Sequence, residues 1–404
     1  GKRRSKSRDR SSHSFSGRQD RDGVRAMASN RLKAAVLASC AALAASRLGE
    51  PRQSPISLTL YSQYQSNVPY VLAEVGAAGL QTHLIIDSGS PLFWARSAER
   101  EGCGRPPYQP WASGLAEALD SQAEFGYGGG VVSGPLYRDS LRLASSEGKN
   151  ETFTDLTVMA ATTEVGMGCS SGILGMDMAS VTAQRIFDSH GLRQLFTILL
   201  NPVPYFYGNA MVEAGTMILG GVDQSAYTGG LMCVPMLPME NRVNASRHDM
   251  NPQGVPLNNT AWWQLEISGV RVGSQQFGAA QGIVDTGTSL LAVPSQVLQY
   301  INQQSVDLSC ENLNALPPIV LTLAGGHEVS LGPQQYITQG AEGSCDSAVM
   351  SIPDAPSGDF FVLGDPFFWK YAVTFDFVGK QVGLGLRAGV EGMPLPQTCG
   401  AALT

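Results

Sequence analysis

Charge is scarce in this 404-residue chain: Asp, Glu, Lys and Arg make up 15% of it, against roughly 25% in ordinary globular domains. Cys-x-x-Cys is absent, which disfavours a zinc site. The five histidines, His13, His83, His190, His248 and His327, show no His-Glu-x-x-His spacing, so each reads as a structural or surface residue. No segment supplies the ~20 apolar residues of a membrane-spanning helix. Metal, cofactor and membrane-span chemistry are therefore not expected.

What the chain does have is glycine and proline, 46 and 23 residues respectively, which point to a β-rich protein with many tight turns. Its length suits two comparable lobes. The charge is unevenly placed. Residues 1–26 carry nine Lys and Arg against three Asp, and residues 27–50 add a further +2. With −7 overall, residues 51–404 carry −15. Such a surface repels phosphate backbones and anionic lipid, so nucleic acid is not an expected partner.

Residues 1–26 read as a basic disordered or upstream segment, with Met27 as the start of the protein proper. Residues 27–46 have signal-peptide form: Arg31 and Lys33, an Ala-rich apolar run to Ala45, then a small-residue cleavage site. The competing reading is a basic pro-region with an Ala-rich helix. Without Cys40, six cysteines remain, which permits three disulfides in an oxidising compartment. Sequons at Asn150, Asn244 and Asn258 are compatible with secretion and glycosylation.

From Leu58 to Trp94 the residues read as strands, and two helices are expected, over Ala183–Leu200 and Ser295–Gln304. An internal echo carries more information. Leu84-Ile-Ile-Asp-Ser-Gly-Ser90 recurs as Gly282-Ile-Val-Asp-Thr-Gly-Thr288. Gly172-Ile-Leu-Gly175 ends 88 residues after Asp87, and Phe361-Val-Leu-Gly364 ends 79 residues after Asp285. Two ordered matches imply a duplicated unit, each copy contributing one Asp. A lone Asp-[Ser/Thr]-Gly is usually a simple turn; the duplicated context is what makes this a pair.

The residue types fit one chemistry. Two carboxyls side by side at the ends of apolar strands cannot both ionise, so they share a proton. The ionised member deprotonates a water while the protonated member hydrogen-bonds the scissile carbonyl. Gly89 and Gly287 let the backbone turn and aim an N–H at each carboxylate. The hydroxyls of Ser90 and Thr288 donate to the outer oxygens.

These motifs resemble the pepsin and cathepsin D family of aspartic endopeptidases, from about Leu58 to about Leu386. The likeness extends to Phe125-Gly-Tyr-Gly-Gly-Gly-Val-Val-Ser-Gly134, Met217-Ile-Leu-Gly-Gly-Val-Asp223, Tyr227-Thr-Gly229, Trp262-Trp-Gln-Leu265 and Leu363-Gly-Asp-Pro-Phe367. It implies an all-β-dominated, bilobal acid-protease fold with a cleft between the lobes. The expected divisions are residues 51–230 for the N-terminal lobe, 231–388 for the C-terminal lobe and 389–404 for a tail. It implies catalytic Asp87 and Asp285, and a hydroxyl grip between lobes made by Ser88 and Thr286. Tyr127 and Gly128 become flap residues and Trp94 the indole partner of Tyr127. Ile85, Ile173 and Met176 stand at apolar subsite positions. Polypeptide bound extended in the cleft is the expected partner of a monomeric enzyme. The resemblance supports a Cys310–Cys345 disulfide; Cys103–Cys169 and Cys233–Cys399 are the expected pairings of the other four. Asp223, Asp365 and Asp376 are expected in structural hydrogen bonds. An extracellular, vacuolar or lysosomal location and an acidic working pH follow.

The chain also departs from the family pattern. Gly129 and Val131 replace polar flap residues, so a mobile flap is expected, and Pro91 follows the first motif. Little length separates Ser46 from Asp87, so either the enzyme is made without a zymogen stage or the basic stretch 1–50 serves as a blocking segment. Two other classes fit parts of the sequence. Gly168-Cys-Ser-Ser-Gly172 matches Gly-x-Ser-x-Gly, with His190 or His327 as a base, although a nucleophile elbow requires a helix directly after it. A catalytically inactive binding or inhibitor relative would use the same cleft without hydrolysis.

Overall fold

The computed structural model describes residues 54–62, 68–101, 103–202, 211–238, 241, 261–304, 313, 315–339, 345–351, 359–400 and 403. The tail 1–26, the segment 27–46, Cys40, Cys310, Asn244 and Asn258 lie outside these residues, as do His13 and His248.

Strands dominate the fold. One sheet of 14 strands runs from Tyr227–Pro235 at one edge to Glu117–Tyr127 at the other, and a second of eight strands is built within residues 264–363. The sequence explains which strands lie inside. Ile56–Ser62 alternates buried and half-buried residues, as a strand does with one face in the core. Gly172–Gly175, Phe93–Arg96 and Phe360–Leu363 are buried throughout, as continuous apolar runs are when both faces are covered. The last strands, Tyr371–Asp376 and Gln381–Arg387, run in the first sheet.

The duplication is visible in the strand pairing. Gln81–Asp87 runs parallel to Gly172–Gly175, with Asp87 opposite Gly175. Ala280–Val284 runs parallel to Phe360–Leu363, with Val284 opposite Leu363. In each copy a third strand lies antiparallel on the far side, Phe93–Arg96 in the first and Leu291–Val293 in the second. Each aspartate thus stands at the end of a strand wedged into apolar neighbours.

Helices are few. Ser295–Gln304 is helical as expected. Of the expected helix Ala183–Leu200, only the first part is helical: the helix spans Val181–Ser189, capped by Ser180, whose hydroxyl accepts from Ala183 N–H. Gly191, at φ +57°, turns the chain, and Leu195–Leu200 is a strand between Val212–Leu219 and Tyr371–Asp376. The short apolar run Leu-Phe-Thr-Ile-Leu-Leu suits a buried strand as well as a helix, and its two ladder partners decide it. Among the described residues no helix is long and apolar enough to cross a membrane.

Two disulfides join described cysteines, Cys103–Cys169 and Cys233–Cys399, with Cα atoms 5.2 and 4.8 Å apart. Cys345 is also disulfide-bonded.

Candidate active site

Asp87 and Asp285 are both buried, and each is held by its own turn. Gly89 N–H donates to Asp87 Oδ1 at 2.8 Å, and Ser90 Oγ donates to Oδ2 at 2.5 Å. Gly287 N–H donates to Asp285 Oδ1 at 2.8 Å, and Thr288 Oγ1 donates to Oδ2 at 2.6 Å. One hydrogen-bond pattern has been built twice.

The two turns face each other closely. A Cβ on Gly89 would lie 2.6 Å from Asp285 Oδ1, and one on Gly287 would lie 2.5 Å from Asp87 Oδ1. Real Cβ contacts are never that short, so glycine at these positions is what lets each carboxyl lie against the opposite turn. Between the turns, Ser88 N–H donates to Thr286 Oγ1 and Thr286 N–H donates to Ser88 Oγ, both at 3.0 Å. Ser88 Oγ donates onward to Val284 O at 2.9 Å, and Thr286 Oγ1 donates to Ile86 O at 2.6 Å. Both hydroxyl residues are fully buried. Both amides and both hydroxyl protons of this crosslink are committed, so none of its donors is left unpaired.

Burial pushes the Asp87 carboxyl well above the usual range, and the neighbouring Asp285 charge adds to this. The bonds from Ser90 and Gly89 oppose the shift. Asp87 thus keeps its proton to higher pH than an isolated carboxyl does.

Over Asp87 stands a hairpin. Glu117–Tyr127 pairs with Gly130–Ala144, with Tyr127 opposite Gly130, so Gly128 and Gly129 form its two-residue tip. A Cβ at either tip glycine would meet nothing within 4 Å. Trp94 Nε1 donates to Tyr127 Oη at 3.0 Å. Burial, and next the Asp87 charge, push the Tyr127 phenol well above its usual range. Trp94, Ile173, Phe125 and Val132 form an apolar cluster with Ile85 and Tyr127 packed against it. Met176 N–H donates to Asp87 O at 2.7 Å, which places its backbone at the turn while its side chain lies in the main core.

The structure adds a residue to which the sequence reading gave no role. Trp262 Nε1 donates to Gly89 O at 2.8 Å, and its neighbour Trp263 donates to Met176 O at 3.0 Å. The Trp-Trp pair is plain in the sequence, but its partner Gly89 stands 173 residues away, so nothing local marks the contact.

The other candidates fall elsewhere. Asp223 Oδ1 accepts from Ser225 N–H, and Asp376 accepts from Val378, Gly379 and Gln381. Asp365 is buried with Oδ1 unpartnered among the described residues, and burial, with the Asp285 charge second, holds its carboxyl well above the usual range. Its backbone N–H donates to Thr288 O at 2.9 Å. The Gly-x-Ser-x-Gly string is no nucleophile elbow: Cys169 is in a disulfide and Gly172 opens a strand. His190 contacts Ser189 and Glu151 instead. Among the described residues no cluster of His, Cys, Asp and Glu is placed to hold a metal ion.

Comparison with known proteins agrees with this architecture. Residues 70–387 match the model of the eukaryotic aspartyl protease family. Vacuolar protease A of Neurospora crassa is 26% identical over 82% of this chain and 80% of its own length. Pepsin A of Suncus murinus is 28% identical over 77% and 78%, and cathepsin D of Dictyostelium discoideum 27% over 80% and 84%. The crystal structure of an aspartic proteinase from Irpex lacteus superposes with a TM-score of 0.66, at 20% identity, over 83% of this chain and 98% of that one. The fold is the bilobal pepsin-like one, and the chain belongs to the eukaryotic aspartyl protease family.

Proposed function

We propose that the protein is an active aspartic endopeptidase in which Asp87 and Asp285 share one proton and activate a water against a peptide carbonyl. The observation that carries this reading is the mirrored and complete support of the two carboxyls: an amide and a hydroxyl on each, and each lying against the other's glycine turn. An inactive relative has no use for so full a set, and nothing in the site favours that alternative.

The reaction balances within the pair. The ionised carboxylate takes a proton from water as its oxygen bonds to the carbonyl carbon. The protonated carboxyl gives its proton to the carbonyl oxygen, forming a gem-diol. Collapse of the diol breaks the C–N bond, with a proton delivered to the departing nitrogen, and the dyad again holds one proton. Since this cycle requires one proton on the pair, the raised Asp87 value supports activity at acidic pH.

Substrate lies extended under the Gly128–Gly129 tip, with side chains against Ile85, Ile173, Tyr127 and Trp94. Residues 51–230 and 231–388 act as the two lobes and 389–404 as a tail. The protein works as a monomer in the secretory pathway, and then outside the cell or in a vacuolar or lysosomal compartment. Disulfides support this location, and so does the exposed sequon at Asn150, which we assign as glycosylated. The charge of −15 over residues 51–404 argues against nucleic acid as a partner.

Incubation with an unstructured protein at pH 3 to 7 tests the central claim. Cleavage in the acid range, lost on Asp87→Asn in a variant that keeps its fold, is expected. A wild-type protein that binds the polypeptide and leaves it intact at every pH would falsify the reading.

A further inference from the structure

Trp94 has a neighbour of a different kind. Arg96 lies two residues along the same strand, so its side chain projects from the same face as the indole that holds Tyr127. It is 2% exposed, and its Nε and Nη1 have no hydrogen-bond partner among the described residues. Nη2 donates to Arg105 O at 3.3 Å.

Within electrostatic reach of this guanidinium, beyond direct ion-pair distance, is Glu164, whose side chain is 6% exposed. Both of its oxygens are shut away from solvent without a hydrogen bond among the described residues, and it makes a 3.6 Å ion pair with Arg100. Glu164 is the middle residue of the short strand Thr163–Val165, which pairs with Val131–Ser133 on the returning arm of the flap. That pairing is locked by close backbone approach. A Cβ on Gly130 would lie 1.9 Å from Val165 O, and one on Gly166 would lie 2.2 Å from Gly129 O. The short strand and the flap arm therefore shift together.

Two buried donors on the cleft floor and two buried acceptors on the flap's brace are complementary in sign. Isolated buried charge is costly, and only a counter-charge offsets it. We propose that Arg96 and Glu164 are positioning residues that tie the flap's brace to the cleft floor and so set how closely the flap settles on substrate.

The tie depends on the charge of Glu164. The groups facing it are Arg96 from the floor strand and Arg100 from the loop after it. Arg105 of the same loop lies against Arg96, and the flap arm pairs with Glu164 through Val132. His83, near Arg105, is held down to about 3 by burial and stays neutral. Burial holds Glu164 above the usual carboxylate range, against the pull of both arginines. The tie is therefore ionic near neutrality and becomes neutral in acid, loosening the flap where the dyad is proposed to work.

The kinetic consequence rests on the peptidase reading; the tie itself does not. Two measurements on full-length protein separate them. Glu164→Gln keeps the shape and removes the charge. Its KM should exceed that of the wild type several-fold near neutrality and converge with it in acid, while kcat stays close to wild type throughout. A merely structural role would lower the melting temperature without making the KM ratio depend on pH. Amide hydrogen exchange over residues 125–133 needs no turnover, and it should be faster in Glu164→Gln near neutral pH and equal in acid. Arg96→Met should reproduce the exchange change, and Glu164→Gln alone suffices if that variant does not fold. A KM ratio of one at all pH, with flap exchange unchanged, overturns the tie. Faster exchange without any cleavage by the wild type sustains the tie and overturns the peptidase reading.

Discussion

The two halves of the site share a floor and differ in what stands over it. In the first, Ile85, Ile173 and Trp94 sit side by side across three strands. In the second, the same places are taken by Ile283, Val362 and Ala292. Where the first half has an indole, the second has a methyl. The space there is covered by Trp262, packed on Ile283, Ala292, Phe360 and Val362, which sends its N–H across to Gly89. Each half thus uses one indole, one to steady the flap and the other to steady its partner's turn. The lesson is that duplication preserved the hydrogen bonds of the carboxyls while their surroundings diverged. Two equivalent acids in unequal settings hold one proton between them more readily than two in identical settings.

If the floors are equivalent in chemistry, removing either carboxyl should cost the same. Asp87→Asn and Asp285→Asn are each expected to lower kcat by roughly 10²–10⁴-fold or more, the scale of general acid–base catalysis. Single-turnover cleavage of an unstructured protein in the acid range measures both. A difference of more than a few fold between them would break the symmetry of roles. The glycines provide the next largest test. Gly89→Ala and Gly287→Ala place a Cβ 2.6 and 2.5 Å from the opposing carboxyl, so both should lose most activity while the protein remains folded. Retention of near-normal kcat by one alone would show that only one turn is in close register.

A third test uses pH and stability. Burial raises the carboxyls of Asp87 and Asp365 well above their ordinary range, so the fold favours their protonated forms. That contribution is present at low pH and is lost as pH rises through the raised values. The melting temperature should therefore fall from acid toward neutral, and Asp87→Asn and Asp365→Asn should each make the decline shallower. A wild-type profile that rises toward neutral pH would mean that other groups outweigh these two.

Much of this was legible in the residues because the duplication is written in short, ordered strings. Leu84–Ser90 against Gly282–Thr288 exposes the turn, and the paired Gly175 and Gly364 expose the strand beside it. What was hidden depended on contacts between distant segments. Leu195–Leu200 is a short apolar run that periodicity alone does not assign to helix or strand, and its partners Val212–Leu219 and Tyr371–Asp376 make it a strand. The reach of Trp262 to Gly89 and the ion pair of Glu164 with Arg100 leave no spacing signal, since each joins residues that only the fold brings together. Disulfide pairing joins equally distant segments, Cys233 and Cys399 lying 166 residues apart, yet the structure forms both pairs expected of the described cysteines, Cys103–Cys169 and Cys233–Cys399.

The finest distinction concerns the two indoles, and it carries the smallest expected effect. Trp94→Phe keeps the apolar body and removes the N–H that holds Tyr127. Net hydrogen bonds contribute about 0.5–1.5 kcal/mol, which corresponds to roughly two- to tenfold in an equilibrium constant. Since the bond lies between floor and flap, the loss should appear in KM. Trp262→Phe removes the donor to Gly89 O, a carbonyl on the turn that aims an N–H at Asp87. On the proposed mechanism a shift there displaces a carboxyl that acts in the transition state, so the loss should appear in kcat instead. Michaelis parameters for the two variants, measured on one peptide substrate, decide the matter. If both act on KM, the second indole serves substrate and not the dyad, and the division of labour between the halves fails. If the effects exchange places, Tyr127 is tuned for chemistry and Gly89 for binding, which inverts the contrast between the halves.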